Sequence, residues 1–165
     1  MDIKNLFGYN WYSRRKILKS MAEITWEQVV ESCGASFDSV RDIFVHSLQC
    51  EQYWIRLLSG KKEPGIFDTP FSTFSTIDTI REYADKVEVE TNEYLKTLSD
   101  EKLQSVFEFK GWNGKTNWNK IEDILMHVIE EEIHHRGELL CIYWQNDIRP
   151  PYISYMGYVD YKSQE

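Results

Sequence analysis

A chain of 165 residues, 42% hydrophobic and 15% aromatic, is long enough to bury a full core as a single domain spanning 1–165 without disulfide or metal staples. The formal charge of −8 excludes an extended contact with a nucleic-acid backbone, which needs clustered Lys and Arg. No apolar run approaches the roughly 18 residues of a membrane span, and Met1-Asp2-Ile3-Lys4-Asn5 lacks a signal-peptide core, so the expectation is a soluble, cytoplasmic protein.

Four long segments carry helical periodicity. The first runs from Ile3 to Met21, with Ile3, Leu6, Phe7, Asn10, Trp11, Arg14, Ile17, Leu18 and Met21 on one broad stripe. Within it, Arg14, Arg15 and Lys16 form a short basic run that reads as a solvated face. Thr25 caps a short turn over Trp26 to Glu31. Ser36 is the expected cap of the second long helix, Phe37 to Ser59, which Gly60 ends. Its stripe includes Phe44, Leu48, Glu51 and Ile55, with His46 at the margin.

Residues 61–74 form a loop rich in Lys, Gly, Pro and Thr. The third helix begins after Ser75 or Thr76 and buries Ile80, Ala84, Val87, Thr91 and Leu95. A short turn starts at Ser99. Residues 105–118 then alternate apolar and polar around Asn113-Gly114, a hairpin-turn dipeptide, and predict a small two-stranded ribbon. The fourth helix runs from about Asn119 to Gln145, with Glu131, Ile133 and His135 on its inner side. The aromatic tail from Pro150 is expected to pack as an irregular flap. The pattern as a whole predicts an all-α, four-helix bundle with long crossover connections and a β-hairpin before the last helix.

Three of the four histidines, His127, His134 and His135, lie on this last helix. Glu131 and His135 are one turn apart on the same face. Such pairs are usually solvated, but this one is flanked by Ile124, Val128, Leu139 and Ile142. An acid on a core face is costly unless paired or bound to a cation. If His46 meets the pair, the three side chains form a metal site of two imidazoles and one carboxylate, a known catalytic zinc set with room for a further ligand. His127 lies on the same ridge and is a second choice as ligand. His134 points about 100° away and reads as a structural, hydrogen-bonding histidine. Cys50, four residues after His46, reads as a small buried thiol before it reads as a soft ligand. Cys33, Cys50 and Cys141 are odd in number and widely spaced, so no disulfide framework is indicated. Gly137 inside a helix suggests a close helix–helix contact.

The chain resembles the DinB-like family, the DinB/YfiT-like bundles that include bacterial metal-dependent hydrolases and bacillithiol- or mycothiol-dependent transferases. The resemblance rests on Phe7-Gly8-Tyr9-Asn10-Trp11, on Ser36 through His46, on Glu51-Gln52-Tyr53-Trp54, and most strongly on Ile124-Leu125-Met126-His127 followed by His134-His135-Arg136-Gly137. Pro150-Pro151-Tyr152 and Tyr155 also fit. Family members commonly carry a histidine where this chain has Glu131, and a glutamine where it has Glu138. The mycothiol-dependent maleylpyruvate isomerases of the superfamily use glutamate at the former position.

The resemblance implies a divalent ion held by His46, Glu131 and His135. Zinc is the first expectation, with nickel, iron or manganese as alternatives. It also implies a low-molecular-weight thiol and a small electrophilic substrate, giving S-transfer, thiol-assisted isomerisation or hydrolysis. His127 and Tyr9 are candidates for supporting groups or pocket wall. The alternative is a non-catalytic dimeric bundle in a stress response, in which Trp11, Trp54, Trp112, Trp118 and Trp144 serve packing and a homodimer interface.

Overall fold

The computed structural model describes residues 2–61, 66–111 and 113–164. Four long helices dominate it: α1 (Ile3–Met21), α3 (Val40–Leu58), α4 (Ile77–Lys96) and α6 (Ile121–Gln145). Shorter elements are α2 (Trp26–Val30), α5 (Asp100–Gln104), α7 (Tyr155–Lys162) and a 3-10 turn over Phe71–Thr73. Strands β1 (Val106–Lys110) and β2 (Thr116–Lys120) form an antiparallel hairpin before α6. Helix α3 packs against α4 and α6, and α1 packs against the same two, closing the bundle as a ring. Among the described residues no helix is long and apolar enough to cross a membrane.

Local chemistry sets the boundaries. Asp2 caps α1 through Lys4 N, and Thr25 with Gln28 forms a capping box at α2. Helix α3 ends in Gly60 at φ +71°, with Lys61 N bonding back to Arg56 O, the Schellman pattern that only a left-handed residue closes cheaply. The start of α3 differs from expectation. Ser39, not Ser36, is the cap, because its hydroxyl accepts from Asp42 N. Ser36 is engaged elsewhere, and residues before 39 fold as a bent segment closed by a bond from Cys33 N to Asp38 O.

Helix α6 starts at Ile121 rather than 119, because Asn119 and Lys120 still pair with Phe107 and Val106 in the hairpin. The tail is not an irregular flap. Ser154 caps α7 by accepting from Gly157 N, and α7 lies on α1 with Tyr158 buried against Tyr9 and Tyr12. Residues 62–65 of the expected loop and Trp112 lie outside the described residues. Of the other tryptophans named above, Trp11 is buried and Trp54 half-buried, while Trp118 and Trp144 are exposed.

The core has two apolar layers. One gathers Ile17, Met21, Ile43, Leu48, Ile80, Val87, Leu139 and Tyr143; the other gathers Phe7, Ile55, Leu95, Leu125 and Ile129. Each long helix interrupts its apolar stripe between the layers with a buried polar residue: Arg14 on α1, Glu51 on α3, Thr91 on α4 and Glu132 on α6. Arg14 is therefore no part of a solvated face, being 2% exposed. Its Nη2 donates to Glu51 at 2.6 Å and also to Glu132, while its Nε donates to Glu132 at 3.2 Å. Thr91 Oγ1 and Trp11 Nε1 both donate to the remaining Glu51 oxygen. Burial opposes the Arg14 charge, but the two carboxylates outweigh it and hold the guanidinium well above its ordinary range. This network fixes how α3 and α6 face each other, and the residue before each carboxylate, Cys50 on α3 and Glu131 on α6, lies in the candidate site.

Candidate metal centre

Three candidate donors, His46, Cys50 and Glu131, meet at the α3–α6 seam, and His135 borders them. His46 and Cys50 come from successive turns of α3, and Glu131 and His135 from successive turns of α6. One ligand atom each from His46, Cys50 and Glu131 lies within 4.8 Å of the other two. Glu131 Oε2 is 3.6 Å from His135 Nε2, and the rings of His46 and His135 are 5.0 Å apart at 84°. Of the residues named from sequence, His46 and Glu131 share one cluster with Cys50, and His135 neighbours each of the two named residues.

The orientation of His135 is fixed by a residue whose role the sequence left unassigned. Glu138 Oε2 is 3.1 Å from His135 Nδ1. Burial works to raise the Glu138 carboxyl, but hydrogen bonds from Ser36 Oγ and N, both at 2.6 Å, and from His135 outweigh it and hold the carboxyl below its ordinary range. Nδ1 therefore faces the Glu138 carboxylate and Nε2 faces Glu131, so the ring lies between two carboxylates. Among the described residues His135 is the only ion-pair partner within reach of Glu131. A cation between them satisfies both groups, and the carboxylate–histidine support is the usual way such a ligand is aimed.

His46 and Cys50 give a second sign. Cys50 Sγ is 3.3 Å from His46 Nε2, a spacing that suits a thiol nucleophile and its base. Their electrostatics oppose that use. Burial, then the neighbouring Glu131, pushes the Cys50 thiol up to about 12. Burial, then His135, pushes His46 down to about 4. Burial holds both groups toward their neutral forms, the reverse of an activated pair; a cation among them would lower the thiol and disfavour the His46 imidazolium further, leaving both able to act as ligands. Phe37 stacks on His46 at 4.1 Å between ring centres, and Phe67 lies 5.9 Å from the same ring. Gln49 holds the loop that carries Phe67 by donating to the carbonyls of Ile66 and Thr69.

Other residues singled out from sequence fall differently. His127 is exposed, edge-on to Trp54, and a ligand atom of His127 lies within 4.8 Å of one on Glu131. It borders a cleft of about 380 Å³ between the hairpin and the α3–α6 seam, walled by Tyr53, Trp54 and Phe109. His134 is exposed and meets the His135 ring edge-on rather than making the expected hydrogen bond. Tyr9 is not at the donors; it packs on Tyr155, Tyr158 and the guanidinium of Arg136, on the α1–α7 side. Ile133, expected inside, is 46% exposed, while Glu132 is buried. The spacing 125, 128, 132, 135, 139 marks that buried ridge and carries Glu132 with it. A Cβ on Gly137 would meet nothing within 4 Å, so no close helix contact explains that glycine.

A family model described as the DinB family matches residues 1–164. The chain belongs to the DinB family. An uncharacterized protein of Bacillus subtilis (strain 168), YizA, is 24% identical over 153 residues, covering 92% of each chain. The crystal structure of a DinB-like protein from Bacillus cereus ATCC 10987 superposes with a TM-score of 0.70 at 20% identity, covering 92% of this chain and 95% of that one. At that identity the likeness establishes the DinB-like fold. Family membership and the clustered donors are together consistent with a metal-dependent enzyme.

Proposed function

We propose that this DinB-family chain is a divalent-metal-dependent enzyme that transfers a low-molecular-weight thiol to small electrophilic molecules, with His46, Glu131 and His135 holding the ion. The observation that carries the reading is the convergence of donor atoms of His46, Cys50 and Glu131 within 4.8 Å of one another, with His135 Nε2 3.6 Å from Glu131 and its Nδ1 held by Glu138. Two imidazoles and a carboxylate suit zinc first. When bound, the ion acidifies a coordinated thiol or water and so supplies a nucleophile near neutral pH.

The chain's own residues do the rest. Ser36 holds Glu138, and Glu138 holds the His135 ring by Nδ1. Phe37 and Phe67 cover the His46 ring and limit water around it. The cleft walled by Tyr53, Trp54 and Phe109 takes the apolar body of the electrophile, one helical turn along α6 from Glu131. In the transfer, the thiol loses its proton to solvent, sulfur bonds to the electrophilic carbon, and the leaving group departs with its electron pair.

The test is elemental analysis of the purified protein together with thiol transfer to chlorodinitrobenzene, with and without chelator. One equivalent of metal and chelator-sensitive turnover are expected, and His46→Ala loses both. Unchanged metal content in His46→Ala, or no chelator-sensitive turnover with several thiols, would sink the proposal.

A further inference from the structure

We propose that Cys50 is the fourth donor of this centre, so that the resting ion is held by one thiolate, two imidazoles and one carboxylate. The inference rests on the reading that the cluster holds a divalent cation, and it adds a ligand of different chemistry. Distances support it. Tetrahedral zinc with Zn–S of about 2.3 Å and Zn–N or Zn–O of about 2.0–2.1 Å places S and N about 3.5 Å apart, and N and O about 3.3 Å apart. Cys50 Sγ lies 3.3 Å from His46 Nε2, and Glu131 Oε2 lies 3.6 Å from His135 Nε2. The spacing between donors on each helix is already that of shared coordination. Between helices, the Cys50 sulfur, a His46 nitrogen and a Glu131 oxygen are mutually within 4.8 Å.

Burial points the same way. Cys50 is 8% exposed, and its one polar contact among the described residues is His46. Neither Cys33 nor Cys141 is bonded to it. A divalent cation deprotonates a coordinating thiol outright, and the released proton passes to solvent. The sulfur moves the preference of the site toward Zn²⁺ and Co²⁺ and away from Mg²⁺ and Ca²⁺. It also occupies the coordination position an external thiol would take. An external thiol would then have to displace Cys50, which would leave as a thiol by taking a proton from solvent, balancing the one that the incoming thiol gives up.

Cobalt substitution tests this on the full-length protein, independently of turnover. With one equivalent of Co²⁺, the wild type shows a thiolate-to-cobalt charge-transfer band in the near ultraviolet. So does a Cys33→Ala, Cys141→Ala double variant. Cys50→Ala and the size-matched Cys50→Ser bind Co²⁺ without the band, and their Zn²⁺ affinity falls at least about 10-fold. Added 2-mercaptoethanol restores the band in Cys50→Ala. Co²⁺ bound by the wild type without the band, or a band that survives both Cys50 substitutions, overturns the role of Cys50 and leaves the three-ligand centre standing. Absence of bound Co²⁺ in every protein overturns both.

Discussion

Glu138 joins the histidine segment of α6 to the bent segment before α3, accepting from Ser36 with both oxygens while holding His135 by Nδ1. Its loss leaves His135 free to change ring angle. Glu138→Ala is therefore expected to weaken metal binding by about 10–100-fold, measured by competition with a chromophoric chelator. An affinity equal to wild type would show that His135 needs no such support. Arg14 answers a different question at the same scale. Removing it strands Glu51 and Glu132, 1% and 7% exposed, without a cation. Arg14→Ala should lower unfolding free energy by about 3–5 kcal/mol in urea denaturation, since breaking a buried pair leaves an uncompensated charge. A loss under about 1 kcal/mol would mean that water reaches the network.

Helix α6 shows how one element serves two environments. Its Leu125, Val128, Glu132 and Leu139 ridge meets the core, while Glu131 and His135 meet α3 at the seam. Gly137 lies on neither side. It is exposed and has open space where a side chain would begin. Gly137→Ala should then raise stability by about 0.5–1 kcal/mol through helix propensity, seen as a higher Tm with metal content unchanged. A drop in Tm would reveal a backbone requirement at that position. Gly8 on α1 is the contrasting case, because a Cβ there would collide with the Tyr158 hydroxyl that anchors α7. Helical stripes were legible in sequence to the residue at α1, because its cap and apolar spacing agree. The start of α3 was not, because two serines compete for the cap and a carboxylate 102 positions away claims Ser36.

For the whole molecule, burial of His46 makes stability depend on pH. Its pKa falls from 6.5 to about 4 on folding, so the unfolded chain binds the proton more tightly. In metal-free protein, stability is fully present above about pH 6.5 and is lost as pH falls toward 4. Tm measured in chelator from pH 7 to pH 5 should decline, and His46→Gln should flatten that decline. A wild-type Tm independent of pH over this range would contradict the burial argument. Bound metal is expected to steepen the dependence, because protons and the ion compete for the same nitrogen.

The sequence by itself determined the helical bundle, the hairpin before α6 and the resemblance to the DinB-like family, and it singled out His46, Glu131 and His135 as candidates. Each is written in local spacing, turn chemistry or short motifs, which follow from backbone geometry alone. Tertiary structure alone decided that Arg14 is buried, that α7 is a helix docked on α1, that Glu138 bonds His135 Nδ1, and that Cys50 lies beside His46 and Glu131. These depend on which faces of distant segments meet. A charge reads as solvated until a partner on another helix removes it from water, and a cysteine reads as packing until a histidine of its own helix and a carboxylate of another lie within 4.8 Å of it.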